Sequence, residues 1–573
     1  GFIQNCIKLF AEVKDNEEVI LINSDVICPQ KDWIKELIKV SNLSPNIGTV
    51  TPLSNCASIF SFPFPNANND YVTPDHLESI NSLLVNNTEE VLTVPSCHGF
   101  CVLILNTRLP IELKLDPIFG KGYGEENDLS VKIHSEGLLN IACPSIFIYH
   151  HESISFSEKK MPLLRRNLKI LDERYPTYHS DVQNWIARDI LRSYRNEAKK
   201  RYIIKHLSPN PIILHISHGR GGGTQEYIQN RANQAPNNYC HLLLSSNQKG
   251  EKYCNLSFLA SLSNTLLEKT CLEVLDSELE SIINWIGSNF PLEEIIIHSF
   301  IDFAQPNICL DFLRTSKFKT TAIIHDYEWI SPNQNLLDSQ LNIIPTKQSA
   351  TVFNLDRIDE KIVFIESLEK HQIYRNNFLT SMNNVIFPSN TAEKILKKCY
   401  PDIHNGSVIY HDTSNNIEAN VVSESLNKLR GARAKIAVIG AIGPNKGFDL
   451  LCELAREIYI NKHPIELTVF GYTLNDDYLT GINPNIKITG KYKDKEDFQR
   501  LISLHHSNLS LFLSPWPETY SYTLSLAFEN QLWPFVLDYG AIAERVRLTN
   551  FGSIIINKNP EAIVKKIMTI TGP

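Results

Sequence analysis

Apolar residues along this chain alternate between two rhythms: short unbroken runs and longer stretches with helical spacing. That alternation predicts an α/β architecture. In the first part, helical spacing over 2–14 precedes an apolar run at 18–22 (EVILI) and a turn at Asn23-Ser24-Asp25. Pro29 and Asp32 then open a helix over 33–41. A loop-rich stretch, 51–75, carries many Asn and Pro residues. Strands are expected at 91–95 and 100–105, a loop over 115–127, a helix over 128–136, and a strand over 146–149 that ends in His150-His151. Residues 160–207 read as a charged, mostly helical connector ended by Pro209 and Pro211.

A second series begins with a strand at 212–217, the loop His218-Gly219-Arg220-Gly221-Gly222-Gly223-Thr224 and a helix from Gln225. Strands follow at 241–245, 294–298, 320–324 and 384–387. After the polar stretch 413–424 come strands at 435–439 and 465–470. Near the end, LSLFLSPWPETYSYTLSLAFENQLWPFVLDYGAIAER reads as a strand over 509–513, a helix headed by Glu518 that runs to about Asn530, and a strand over 534–538. Two Rossmann-like halves joined by a polar hinge would leave a cleft at their strand ends, where open α/β sheets bind ligands.

Composition narrows the possibilities. At 573 residues the chain exceeds one core, and about three to four domains are expected. No run of about 18 apolar residues occurs, so no transmembrane helix is expected. A net charge of −8 argues against a nucleic-acid binder. Basic clusters at Lys159-Lys160, Arg165-Arg166 and 199–201 offer peripheral membrane contact, although a solvated helix face is the plainer reading. The 12 cysteines form no disulfide framework, which points to a reducing compartment. Cys97 and Cys101 lack companion ligands at metal-site spacing and read as buried thiols. The sequence opens on Gly1 inside a helical pattern and stops at Pro573 just after another, so a fragment is expected.

Three features of the first part carry chemistry. Asp25 follows an apolar strand, where one carboxylate can hold a divalent ion against a diphosphate, or merely serve a turn. Gly122-Tyr123-Gly124-Glu125-Glu126-Asn127-Asp128 crowds acids on a glycine-flexed loop. Such crowding raises a carboxylate pKa and suits a general base; otherwise Asp128 simply caps a helix. His150 ends a strand. Together LINSDV, LDPIFGKGYGEENDLSVKIHSEG and IYHHESISF, over about 1–157, resemble the family-2 glycosyltransferases of the GT-A fold. The resemblance implies Asp25 as metal-binding residue, His150 as a third metal contact, Glu126 as catalytic base, and Mg²⁺ or Mn²⁺ as cofactor. Asn23 replaces the first acid of the common Asp-x-Asp form, and Glu126 stands where Asp is commoner. The nucleotide-binding portion that family members carry upstream is missing.

In the second part, Gly219–Gly223 between strand and helix fits a phosphate cradle. A dinucleotide dehydrogenase would need an acid at the end of the next strand, and Ser245-Ser246-Asn247 supplies none. Lys446, in Gly443-Pro444-Asn445-Lys446-Gly447, is placed as a point charge for a diphosphate. Glu518 reads either as a helix cap or as a ligand contact. GRGGGT, NKG and PETYSYTLS, with IIHDYEWISPNQNLLD, VIFPSNTAEKIL, ITGKY and DYGAIAERV, resemble the family-4 glycosyltransferases of the GT-B fold over about 210–570. The resemblance implies retaining, metal-independent transfer from a nucleotide sugar. Lys446 would hold the donor diphosphate, Glu518 would contact the donor sugar, His325 would line the sugar side of the cleft, and Gly221, Gly222 and Gly223 would approach the phosphates. Two departures stand out: Ala441 where many members carry Arg, and Leu526 where many carry a second Glu, with Glu529 three residues late.

The expected fold is therefore α/β, a partial GT-A domain (mixed sheet) followed by a GT-B domain of two Rossmann-like halves. Expected boundaries are 1–158 for the GT-A part, 159–208 for the connector, 209–412 for the acceptor half and 413–573 for the donor half. The expected function is glycosyl transfer from a nucleotide-sugar donor to a glycan or lipid-linked acceptor in O-antigen-like surface polysaccharide synthesis. It would be cytoplasmic, at the inner membrane face, with no nucleic-acid partner. The alternatives are a catalytically decayed glycosyltransferase-fold binding protein and a GT-B-fold sugar-nucleotide epimerase.

Overall fold

The computed structural model describes residues 2–84, 89–110, 115–120, 122–151, 160–207, 210–236, 239–247, 253–259, 271–337 and 368–572. The chain forms two compact units. One comprises Gly1–Pro209 with Leu256–Glu273, the other Asn210–Asn255 with Val274–Pro573. Lys159, the end of the IYHHESISF motif from Glu152 onward, and the expected boundaries near 158 and 208 lie outside the described residues.

The first unit holds a four-stranded mixed sheet in the order Val19–Ile22, Cys101–Ile104, Ile47–Leu53, Leu139–Phe147. The first two pairings are antiparallel and the third is parallel. Ile47–Leu53, within and just before the stretch expected as loop, is buried at all seven positions and lies inside the sheet. Burial on both faces removes the period-two alternation that betrays a half-exposed strand, and Gly48 and Pro52 further disguise it. The strand expected over 91–95 reduces to a single bridge between Thr93 and Ile141. A two-stranded ribbon, Val26–Ile27 with Tyr149–His150, stands apart from the sheet. Three helices, Lys160–Arg174, Tyr178–Arg188 and Arg192–His206, follow. On the last of them Lys199 is 1% exposed, with its ammonium 4.5 Å from the Phe64 ring centre, so it belongs neither to a solvated face nor to a membrane patch.

The second unit contains two parallel sheets. In the first, Cys240–Ser246, Ile212–Ser217, Leu292–Ile297, Thr320–Ile323, Asn384–Phe387 and Gly406–Val408 lie side by side in that order. In the second the order is Lys487–Ile488, Ile465–Thr473, Ala434–Ile442, Leu509–Phe512, Trp533–Leu537, Ser553–Ile555. Every position of Leu509–Phe512 and of Trp533–Leu537 is buried, which accounts for their unbroken apolar sequence. Each sheet reverses its strand order once, beside Ile212–Ser217 in one and beside Ala434–Ile442 in the other. A crevice therefore opens at the carboxyl ends of those strands. Residues 218–222 and 443–447 leave these ends, and 513–521 leaves the neighbouring strand Leu509–Phe512.

Candidate functional site

The loop after Leu509–Phe512 is the centre of the site. The expected helix headed by Glu518 instead begins at Tyr522, capped by Ser521, whose side chain accepts from Leu524 N. Glu518 lies four residues before it, in an irregular segment. The capping role is thereby excluded: caps sit on the first turn, and Ser521 already fills that position. Glu518 is 3% exposed, and Lys446 Nζ donates to its Oε2 at 2.7 Å while Ser514 Oγ donates to Oε1. A buried carboxylate needs such partners, since an unpaired one is costly to desolvate. The two residues lie 72 apart in sequence and meet because their strands are neighbours at the reversal point.

Backbone geometry holds the two loops together. Gly447 has φ +82°, and a Cβ there would lie 2.1 Å from Leu513 O. Gly540 has φ +58°, and a Cβ there would meet Pro517 C at 2.4 Å. Only glycine permits both the left-handed conformation and the close approach. Ala541 N donates to Glu518 O at 2.8 Å, and Trp516 Nε1 donates to Asn445 O at 3.0 Å. Lys446, Ser514, Glu518 and Thr523 line a cavity of about 20 Å³, room for a single water molecule.

Of the other residues expected in this unit, His325 meets the same loop through its backbone. Thr519 Oγ1 donates to His325 O, and Tyr327 OH donates to Pro517 O at 2.8 Å. The His325 ring lies among those of His298, Tyr227 and His411. Gly221 and Gly222 have φ +80° and +76°, and Gly223 opens the helix Gly223–Gln234. A Cβ on Gly223 would stand 3.1 Å from Tyr522 Cδ2, so this helix start abuts the first residue of the helix that follows the Glu518 segment. Leu526 is buried in the core of the C-terminal half, and Glu529 pairs with Lys495 at 2.9 Å. Neither therefore replaces the absent second acid.

Sequence reasoning missed two residues that build this site. Arg545 is fully buried, donating to Ser521 O at 2.8 Å, Ser525 Oγ at 2.9 Å, Ser414 Oγ at 2.6 Å and Asn415 Oδ1 at 2.7 Å, with its guanidinium 4.2 Å from the Tyr520 ring centre. Glu544 accepts from Asn390 N, Thr391 N and Tyr410 OH at 3.0, 2.7 and 2.7 Å. The motif DYGAIAERV contains both residues, but the Glu544 partners and the Arg545 partners Ser414 and Asn415 lie more than 100 positions away, and Ser521 and Ser525 are 24 and 20 away, beyond the reach of local pattern.

In the first unit, the ribbon brings Asp25 and His150 together, with Oδ1 and Nε2 3.4 Å apart, and His151 N donates to Asp25 O at 2.8 Å. The following acidic helix starts at Glu125, earlier than expected, behind the left-handed Gly124. Asp128 is therefore inside the first turn, where Arg174 and Tyr175 hold it at 3.0 and 2.8 Å. Burial raises the pKa of Glu126, and burial with the adjacent Glu126 charge raises that of Glu125. Glu125 Oε2 has no hydrogen-bond partner among the described residues. The segment before Cys101–Ile104 links the two clusters: Ser96 Oγ donates to Asn127 Oδ1 at 2.8 Å, and Phe100 stacks on His150 at 5.7 Å. Among the described residues no group of three or more His, Cys, Asp and Glu is placed to hold a metal ion.

Residues 425–571 match the family described as Glycosyl transferases group 1, and this part of the chain is a glycosyltransferase domain. No curated protein matches the chain. Among solved structures, Anabaena Alr3699/HepE in complex with UDP-glucose is similar at 14% identity and TM-score 0.40, over 62% of this chain and 89% of that one. WaaG, a glycosyltransferase involved in lipopolysaccharide biosynthesis, is similar at 11% identity and TM-score 0.37, over 62% and 90%. The E. coli trehalose-6-phosphate structure bound with UDP-2-fluoro glucose is similar at 9% identity and TM-score 0.38, over 63% and 91%.

Proposed function

We propose that the chain transfers a sugar from a nucleotide-sugar donor to a glycan or lipid-linked saccharide, with retention and without a metal in its second unit, during surface-polysaccharide synthesis of the O-antigen type. The observation that carries this reading is the Lys446–Glu518 pair at 2.7 Å, at a strand-order reversal inside the matched region. On this reading Lys446 holds the donor diphosphate and stabilises the charge that builds on it as the sugar leaves. Glu518, backed by Ser514, accepts hydrogen bonds from sugar hydroxyls, and His325 lies on the sugar side. Gly221, Gly222 and Gly223, at the head of a helix, let phosphate oxygens approach backbone N–H groups.

For the first unit we propose a family-2-like partial domain with Glu126 as its base. Asp25 and His150 would supply two ligands to Mg²⁺ or Mn²⁺, with donor phosphate completing the shell. No helix among the described residues is long and apolar enough to cross a membrane, and location at the inner face of the cell membrane is part of the proposal. One observation favours a decayed binding protein instead: Leu526 points a buried apolar side chain into the core where a ribose-binding acid is called for.

Release of nucleoside diphosphate from a panel of nucleotide sugars, with and without saccharide acceptors, tests the reading. Lys446→Ala and Glu518→Gln are expected to lower release by about 10²- to 10³-fold, the scale of losing one preorganised electrostatic group. Equal rates in wild type and both variants would sink it, and an epimerised sugar without diphosphate release would favour the epimerase.

A further inference from the structure

Four histidines form a continuous hydrogen-bonded chain across the first parallel sheet of the second unit. His241 Nδ1 lies 3.0 Å from His215 Nε2, His215 Nδ1 lies 2.9 Å from His298 Nε2, and His298 Nδ1 lies 2.9 Å from His325 Nε2. The strand register explains the alignment. His241 is level with Ile213, so His215 stands two residues further along. His215 is level with Ile296, which puts His298 two residues further again. Ile297 is level with Ala322, and His325 is once more two residues beyond the level of His298. Steps of two keep every ring on one face, and diagonal neighbours about 7–8 Å apart are within reach of aromatic side chains. The chain therefore climbs one pleat per strand, from mid-sheet to the strand end where His325 meets the Glu518 loop.

We propose that His241, His215 and His298 are positioning residues that lock His325 in one tautomer, with its proton on Nδ1, making it a hydrogen-bond donor to a sugar hydroxyl or phosphate oxygen. Only this assignment of a role to His325 rests on the transferase reading; the tautomer itself does not.

The direction follows from counting protons. A neutral imidazole donates through one nitrogen and accepts through the other, so each interior ring that accepts on one side must donate on the other. All three bonds then run the same way, and only two arrangements exist. In one, His241 Nε2 carries a proton. That atom is buried and has no partner among the described residues, and orphaned buried N–H groups are rare. In the other, His241 Nε2 is bare and protons point outward, His241 to His215 to His298 to His325, leaving Nδ1–H on His325. The Arg231 charge also acts on His241, His215 and His298, and a cation at that end favours bare nitrogens facing it. Burial lowers the pKa of all four rings, which keeps the chain neutral and the counting valid. Hydrogen bonds in series polarise one another, so His325 is a stronger donor than an isolated imidazole.

Long-range ¹H–¹⁵N correlation spectra of histidine-labelled full chain, with the His325 signals assigned by their loss in His325→Gln, read the tautomer directly. The expected result is protonated Nδ1 and bare Nε2 on His325; a proton on Nε2, or a rapid average of both forms, overturns the proposal in wild type with no variant needed. His241→Phe removes the first donor, and His325 is then expected to populate both tautomers, with nucleotide-sugar affinity about fivefold to tenfold weaker, the scale of one neutral hydrogen bond. His241→Asn, whose amide N–H can take the place of Nδ1–H, is expected to restore both readings. An unchanged His325 tautomer in His241→Phe also overturns the proposal. A chain without transferase activity would leave the spectra as expected, so the two readings fail separately.

Discussion

The Lys446–Glu518 pair makes an asymmetric prediction about ligand binding. With no donor present, Lys446 already has an anionic partner, so a nucleoside diphosphate must displace Glu518 before it can be held. The energy at stake lies between two limits. Exposed ion pairs are worth about 0.2–1 kcal/mol, and breaking a buried one costs about 3–5 kcal/mol. Here the carboxylate side chain is 4% exposed but the lysine is 35% exposed and reaches water, which places the pair near about 1.5 kcal/mol. Glu518→Gln keeps the shape and the Ser514 contact but releases Lys446. The nucleoside diphosphate is then expected to bind about tenfold tighter, since about 1.4 kcal/mol is a factor of ten, even as transfer falls. Lys446→Ala is expected to weaken the same ligand by about tenfold or more. Calorimetric titration of wild type and both variants measures this, and added salt should shrink the difference. Weaker diphosphate binding in Glu518→Gln would refute the reasoning, because Glu518 would then be supporting the ligand rather than competing with it.

Three further expectations follow from the same geometry. Gly540→Ala forces a Cβ into Pro517 C at 2.4 Å from a left-handed position, and should lower the unfolding temperature and abolish donor release by displacing the Glu518 loop. Arg545→Leu leaves Asp412, Ser414 and the Ser521 carbonyl without their cation, and should destabilise the second unit by about 3–5 kcal/mol in denaturant titration. Glu125 has its folded pKa raised, mainly by burial and then by Glu126, so its contribution to stability is complete below the ordinary carboxylate range and is lost as pH rises through the folded value. Unfolding measured from about pH 5 to about pH 9 should therefore show stability falling with pH, and Glu125→Gln should flatten that slope.

The parallel strands of the second unit were legible because buried strands are apolar without interruption, and 384–387 emerges at the expected residues. Glu518 was legible as a chemical residue but its setting was not. The apolar spacing after Pro517 continues a helical pattern backward into a segment that Gly540 and Ala541 hold in irregular form through contacts specified elsewhere in the chain. Ile47–Leu53 escaped notice because a strand covered on both faces has no polar side to reveal its period. The histidine chain is invisible in sequence for another reason. His215, His241, His298 and His325 are unremarkable singly, and only the register of four strands turns them into neighbours.

Glu544 has a mechanical consequence. Its carboxylate takes the first two backbone N–H groups of the helix Asn390–Cys399, groups that a helix cannot satisfy internally. Asn390 Nδ2, Thr391 Oγ1 and Tyr410 OH donate to the same carboxylate, so side-chain donors reinforce the backbone pair and fix the start of that helix against the helix Gly540–Thr549. Glu544 lies on the helix opened by Gly540, the residue packed against Pro517, so the start of the helix Asn390–Cys399 and the Glu518 loop are tied to one element.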